Sequence, residues 1–220
     1  MKVIAKVLDV FESTHADCAR NIASGNICAG RSKMVIRSLP AAGSVDAAFI
    51  ATDRKENTKA YESEMPFGEV ISLKGIASDA RVVTVHGQDY LGNDMVERIT
   101  LSGTNAVAGK KAFKKVLKAT VETAGAVELL TSNVVGVEYQ TVGVDFAVVN
   151  GVKALTVPTF TAGTHTQTAT SVDPRGTISL TSQSAGSEIE LVLLVSEYCT
   201  KDDRGADAKG GLFGVKPFKG

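Results

Sequence analysis

Between Arg81 and Val121 the chain reads RVVTVHGQDYLGNDMVERITLSGTNAVAGKKAFKKVLKATV, and this stretch limits the possible folds more than any other. Arg81–His86 is apolar and β-branched, as strands are. Gly87 to Asn93 carries the punctuation of a hairpin loop, with Gly92-Asn93 near its tip. Asp94–Leu101 returns, with Met95, Ile99 and Leu101 on one side and Val96, Arg98 and Thr100 on the other. Glu97 falls on the apolar side, so the alternation is imperfect. Ser102 to Asn105 turns the chain into a third run that ends at Val121. These residues predict a β-meander and contain no catalytic grouping.

The same stretch carries a resemblance. Val83-Thr84-Val85, Gly87, Asp89, Gly92, Glu97, Ile99, Leu101, Gly103-Thr104, Val107 and Ala112-Phe113 follow one another in an order that resembles a family of small structural proteins of tailed-bacteriophage virions. A second fragment, Asp173-Pro174-Arg175-Gly176-Thr177-Ile178 ahead of a closing apolar strand, is similar to the end of the same proteins. The resemblance implies capsid decoration, or another structural role in the head or tail. It brings no catalytic residues to carry over.

The remainder of the chain also reads as strands and turns. Lys33–Leu39 is a strand closed by Pro40, Val45–Ala51 is a second and Phe67–Lys74 a third. Asp53 to Glu64 is charged and reads as a solvated loop or a short surface helix. Lys110–Lys118 fits a helical stripe or a strand, and its unbroken continuation into Ala119-Thr120-Val121 favours the strand. Its five lysines read first as a solvated face, with a contact for nucleic acid or an acidic partner as the alternative. Asn150-Gly151 is a two-residue hairpin turn between Phe146–Val149 and Val152–Val157. Ala162 to Val172 is a Thr-rich loop, and Thr177–Leu180 pairs with Glu188–Val195 around Ser184-Ala185-Gly186. Leu191–Val195 is apolar throughout, as expected of a strand buried on both faces.

Residues 1–32 have no sustained period and read as an N-terminal arm on a neighbour or as a surface loop; both stay open. The tail from Thr200 to Gly220 is too polar and glycine-rich to order alone. Leu212, Phe213, Val215 and Phe218 are spaced along it as anchors for a partner's groove. The expected organisation is therefore an arm over residues 1–32, a β-rich body over 33–199 with a possible internal boundary near 122–126, and a C-terminal arm over 200–220.

Composition narrows the function. Lys+Arg and Asp+Glu are equal at 24 each, which argues against a general nucleic-acid or membrane-surface binder. No apolar run reaches the roughly 18–20 residues of a membrane span. The N-terminus lacks the apolar centre of a signal peptide, so synthesis in the cytoplasm of a host cell is the simple expectation. Cys18, Cys28 and Cys199 include no C-x-x-C pair, which disfavours zinc. A Cys18–Cys28 disulfide is geometrically possible, but reduced thiols suit a cytosolic origin better. His15, His86 and His165 have no ligand-spaced partners. The oxygen side chains of Asp89, Asn93 and Asp94 could approach calcium, although Asp and Asn stand in such loops first for turn geometry. No catalytic residue, metal or cofactor is expected.

The expected fold is all-β, an antiparallel sandwich or barrel-like body of about ten to twelve strands with extended N- and C-terminal arms. The expected role is that of a non-enzymatic homo-oligomer, a trimer, on the capsid surface of a virion. Its partner there would be the major capsid protein, with no direct contact to nucleic acid or membrane. A collar, tail or baseplate protein is the alternative within the virion. A carbohydrate-binding sandwich for host attachment is the alternative of another class, and the absence of Trp counts against it.

Overall fold

The structure, a computed structural model, describes residues 4–9, 28–50, 56–57, 60–197 and 215–220. Among these residues there are seventeen strands and no helix. The first are β1 (Ile4–Asp9), β2 (Cys28–Ile36), β3 (Ser44–Ile50), β4 (Glu56–Asn57), β5 (Tyr61–Glu62) and β6 (Glu69–Lys74). The central stretch supplies β7 (Val82–Gln88), β8 (Asp94–Thr100), β9 (Val107–Phe113) and β10 (Lys115–Val121). Then come β11 (Val127–Leu130), β12 (Val134–Gly136), β13 (Thr141–Val149) and β14 (Val152–Lys153). The last are β15 (Thr159–Thr161), β16 (Thr177–Ser179) and β17 (Ile189–Glu197).

All pairings are antiparallel and fall into three sheets. One runs β1-β2-β17-β13-β14; a second runs β4-β10-β7-β8, with β5 also on β10; the third runs β15-β16-β12-β6-β11-β3, with β9 also on β6. The third sheet is shared between two cores. Ile71 and Leu73 of β6, Phe113 of β9 and Leu129 of β11 pack with Val83, Val85, Met95, Ile99 and Val116 of the second sheet. Val135 of β12 and Ile178 of β16 pack instead with Met34, Ile36, Ala147, Leu191 and Leu193 of the first. Aliphatic side chains fill both cores, as the shortage of aromatics requires. The body is thus a set of packed antiparallel sheets, and no sheet closes into a barrel.

Local patterns explain most strands. Along β7, Val83, Val85 and Gly87 are buried while their neighbours are not, the period of a sheet with one face inward. In β17, Leu191, Val192 and Leu193 are all buried, because the strand lies between β2 and β13. Asn150 (φ 51°) and Gly151 (φ 79°) form the hairpin turn between β13 and β14.

Several expectations are corrected. The predicted meander keeps only its first hairpin, β7–β8. Its third run breaks at Lys114 into β9, which crosses to β6, and β10, which returns to the far side of β7. Thr177–Leu180 does not pair with Glu188–Val195: β16 lies between β12 and β15, and β17 belongs to another sheet. The turn between them is hooked onto Leu39 instead, through Leu39 N–H to Ser187 O (2.9 Å) and Gly186 N–H to Leu39 O (2.8 Å). The charged segment before Glu64 contributes β4 and β5, both on β10. β14 is two residues long rather than reaching Val157. The sheet also reaches outside the expected body, since β1 pairs with β2 and β2 begins at Cys28. Strands from either side of residues 122–126 share the third sheet, where β11 pairs with β3 and β6.

Candidate functional site

The two fragments that carry the resemblance meet in space. Asp89, at the mouth of the β7–β8 loop, and Arg175 are fully enclosed and lie 3.0 Å apart. Asp89 Oδ1 also accepts the N–H groups of Leu91 (2.9 Å) and Asn93 (2.8 Å), so its oxygens are spent on the turn and on the guanidinium. Arg175 lies 4.8 Å from the centre of the Tyr90 ring, a cation–π arrangement. Tyr90 in turn meets Phe67 edge-on at 5.1 Å and donates its hydroxyl to Glu138 O. Burial raises the Tyr90 phenol well above the usual range. Asp173 completes the clasp: Oδ2 accepts Ala112 N–H (3.0 Å), Oδ1 accepts Arg175 N–H (2.9 Å), and Asp173 N–H donates to Lys110 O (2.9 Å). Burial pushes the Asp173 carboxyl up, opposed by Arg175 and these N–H groups.

Beside the clasp lie two more buried charged groups. Lys111 is completely enclosed, with Nζ on Gln167 Oε1 (2.9 Å) and Ser171 Oγ (3.4 Å) of the Thr-rich loop. Burial pulls its amine below the usual lysine range, opposed by Glu97 and Asp173. Glu97 is 1% exposed, accepts Lys110 N–H on Oε1 (2.5 Å), and has no hydrogen-bond partner on Oε2. Burial holds its carboxyl up at about 7, with partial relief from the N–H groups of Lys110 and Lys111 and from the Lys111 charge. The sequence signalled this site once, through the acidic residue on the apolar side of β8. The turn Asp173–Gly176 gave no such signal, because turn-forming and buried roles use the same residues.

The lysine run is dispersed by the fold. Lys110 Nζ reaches Thr170 O, Lys111 is buried, and Lys114 Nζ donates to Ser63 O (2.6 Å) and Met65 O (2.9 Å). Lys115 pairs with Glu62 (3.5 Å) and Lys118 with Glu56 (2.8 Å). Each ammonium has a partner, so the five do not form a free cationic face.

Of the four proposed anchors, Leu212 and Phe213 lie outside the described residues. Val215 and Phe218 belong to a strap, residues 215–220, and both are half-buried. Val96 N–H donates to Phe218 O (2.7 Å), and Pro217 is buried. The strap thus lies on the outer edge of β8, where Arg98 N–H also donates to Ala169 O (2.7 Å) of the Thr-rich loop. Cys18 and Cys199 likewise lie outside the described residues, and Cys28 opens β2.

Among the described residues, large apolar side chains stand exposed at several places, Ile76 (54%) and Leu91 (47%) among them. On and just after β14, Val152 (70% exposed), Leu155 (106%) and Val157 (42%) stand in solvent, while the exposed Val142 (45%) lies at the opposite end of β13. Elsewhere a cleft of about 280 Å³ is lined by Pro40, Gly43, Tyr61, Glu64, Glu69 and Asn133, among others. Glu69 Oε1 accepts the hydroxyls of Tyr61 (2.5 Å) and Ser63 (2.8 Å), and burial raises its carboxyl. Among the described residues no group of three potential ligands is placed to hold a metal ion, and no helix is long and apolar enough to cross a membrane. No family model, curated protein or solved structure matches the chain.

Proposed function

We propose that the chain is a structural protein of a tailed-phage virion that decorates the capsid and stabilises it by bridging coat subunits. The observation that carries this reading is the exposed apolar rim of the β13–β14 hairpin. Leu155 makes no contact that shields it, and Val152 is 70% exposed. Large apolar side chains left in water along one short segment, Val152 to Val157, favour a docking surface there. The clasp between Asp89, Arg175 and Asp173 gives the resemblance a physical content, since it joins the two fragments on which that resemblance rests. The partner is the major capsid protein, and a closed ring of copies, a trimer, would satisfy apolar surface without open-ended growth.

The test is binding of purified protein to particles that lack it. Leu155→Asp with Val152→Asp should abolish particle binding while moving the melting temperature little, because exposed substitutions change stability by no more than about 0.5 kcal/mol. Normal binding by the double variant overturns the assignment of this rim. Counting copies separates the roles: hundreds per particle mean decoration, and five, six or twelve mean a collar, tail or baseplate part.

A further inference from the structure

Glu97 sits on β8 between the two places where the edge of that strand is covered. Its neighbours on the strand, Val96 and Arg98, donate their N–H groups outward to Phe218 O of the strap and Ala169 O of the Thr-rich loop. The Glu97 side chain stands on the inner face of the strand, with Met95 and Ile99. There it is tightly boxed. A Cβ on Gly109 would stand 2.7 Å from Oε2, so glycine at that position leaves the carboxyl the space it occupies. Oε1 accepts Lys110 N–H, the Lys111 N–H also favours the carboxylate, and Oε2 has no formed hydrogen bond of its own.

The charges around it come from named elements. On β9, Lys111 is enclosed beside it, while the Lys110 ammonium is turned out to Thr170 O. On the closing turn, Asp173 acts on it through space, and the Asp89–Arg175 pair lies beyond. On β7 its cross-strand neighbour is Val85, which carries no charge. On the strap, Lys216 and Lys219 are exposed.

We infer that Glu97 is a protonation-sensitive pin at the β8 edge, whose ionisation loosens the strap and the Thr-rich loop together. When protonated, the carboxyl sits in its box without a buried bare charge. When ionised, it places an unsolvated oxygen against Gly109 and strengthens its pull on Lys111, whose ammonium is held by Gln167 and Ser171 of that same loop. Opening the edge admits water to Oε2, so the ionised form favours the open edge. Burial pushes the Glu97 pKa up to about 7, which places this change near neutrality. The strap is one of the elements expected to contact a neighbour, so the pin would make arm release depend on pH. This holds for the free chain whether or not it decorates a capsid.

Two amides report on the pin directly. Hydrogen exchange of Val96 and Arg98, followed by NMR between about pH 5.5 and 8.5 and corrected for intrinsic base catalysis, should show both opening more readily as pH rises. The opening constants should increase at least about tenfold, the factor that one pK step of coupling transfers. Glu97→Gln should make both constants independent of pH. Flat protection of the two amides in the unsubstituted chain, or pH dependence retained in the Gln variant, overturns the proposal. Should the variant not fold, the carboxyl carbon of Glu97 can be titrated in the unsubstituted chain. A midpoint near 7 that tracks the two amides supports the pin, and a midpoint below about 5.5 removes it.

Discussion

Asp89 and Arg175 illustrate why a buried pair matters most when half of it is removed. Their side chains are 0% and 3% exposed, so neither charge can be rehydrated where it stands. Arg175→Met should cost about 3–5 kcal/mol in urea unfolding, because it leaves Asp89 charged and unpaired. Adding Asp89→Asn should recover part of that loss, and full additivity of the two single costs would show that they do not form one unit. Ionisable groups also set opposing pH windows. Glu97 is raised from 4.5 to about 7, so its contribution is complete below 4.5 and is lost as pH rises toward 7. Asp173, raised by burial, acts in the same direction. Asp79 is held below 3.8 by Arg81, so its contribution is present above 3.8 and lost as pH falls through its folded value. The chain should therefore be more stable at about pH 5 than at about pH 8, by up to roughly 3 kcal/mol from Glu97 alone. Urea midpoints at the two pH values check this, and Glu97→Gln should remove most of the difference. Glu97 was visible in the sequence as a break in alternation. Lys111 was not, because a lysine among lysines looks solvated until a loop from 56 residues further along closes over it.

Strands were legible where a local period and a local turn agreed, as in β7–β8 and at Asn150-Gly151. Partners were not legible where distant backbone decided them. The third run of the central stretch reads as one strand, yet Lys114 leaves both sheets to bind Ser63 O and Met65 O, and the chain divides there. Likewise the Ser184–Gly186 turn looks like a hairpin tip but is hooked to Leu39, far away in sequence. Gly87 shows how closely the returning β10 approaches. A Cβ there would stand 2.0 Å from Lys115 O and 2.6 Å from Phe113 Cδ1. Gly87→Ala should therefore push β10 from β7 and cost about 2–4 kcal/mol. Thermal unfolding measures it, and a loss below about 0.5 kcal/mol would mean the strands adjust freely.

At the level of the whole molecule, composition announced an all-β body built on aliphatic cores, and the three sheets bear that out. The sharing of one sheet by two cores could not be read, because no residue pattern distinguishes the two faces a strand will meet. The exposure of Val152 and Leu155 was also hidden: in sequence both are ordinary strand residues, yet Val152 stands on the two-residue edge strand β14 and Leu155 falls beyond its end at Lys153. That rim sets the last prediction. If it docks on a capsid and binds the intact shell in preference to dissociated subunits, binding must raise shell stability by mass action. The gain per site follows the logarithm of concentration over dissociation constant, about 2.7 kcal/mol at a hundredfold excess. Particles stripped of the protein should remain assembled but rupture at lower temperature and in milder osmotic shock. Adding the purified chain back should restore the rupture temperature progressively, with a shift that grows with concentration and levels off when sites are filled. Leu155→Asp with Val152→Asp, folded but unable to dock, should restore nothing at the same concentrations. Rupture temperatures that ignore the added chain would defeat the cement role, and particles that rupture normally but lack tails would move the protein to the neck or tail.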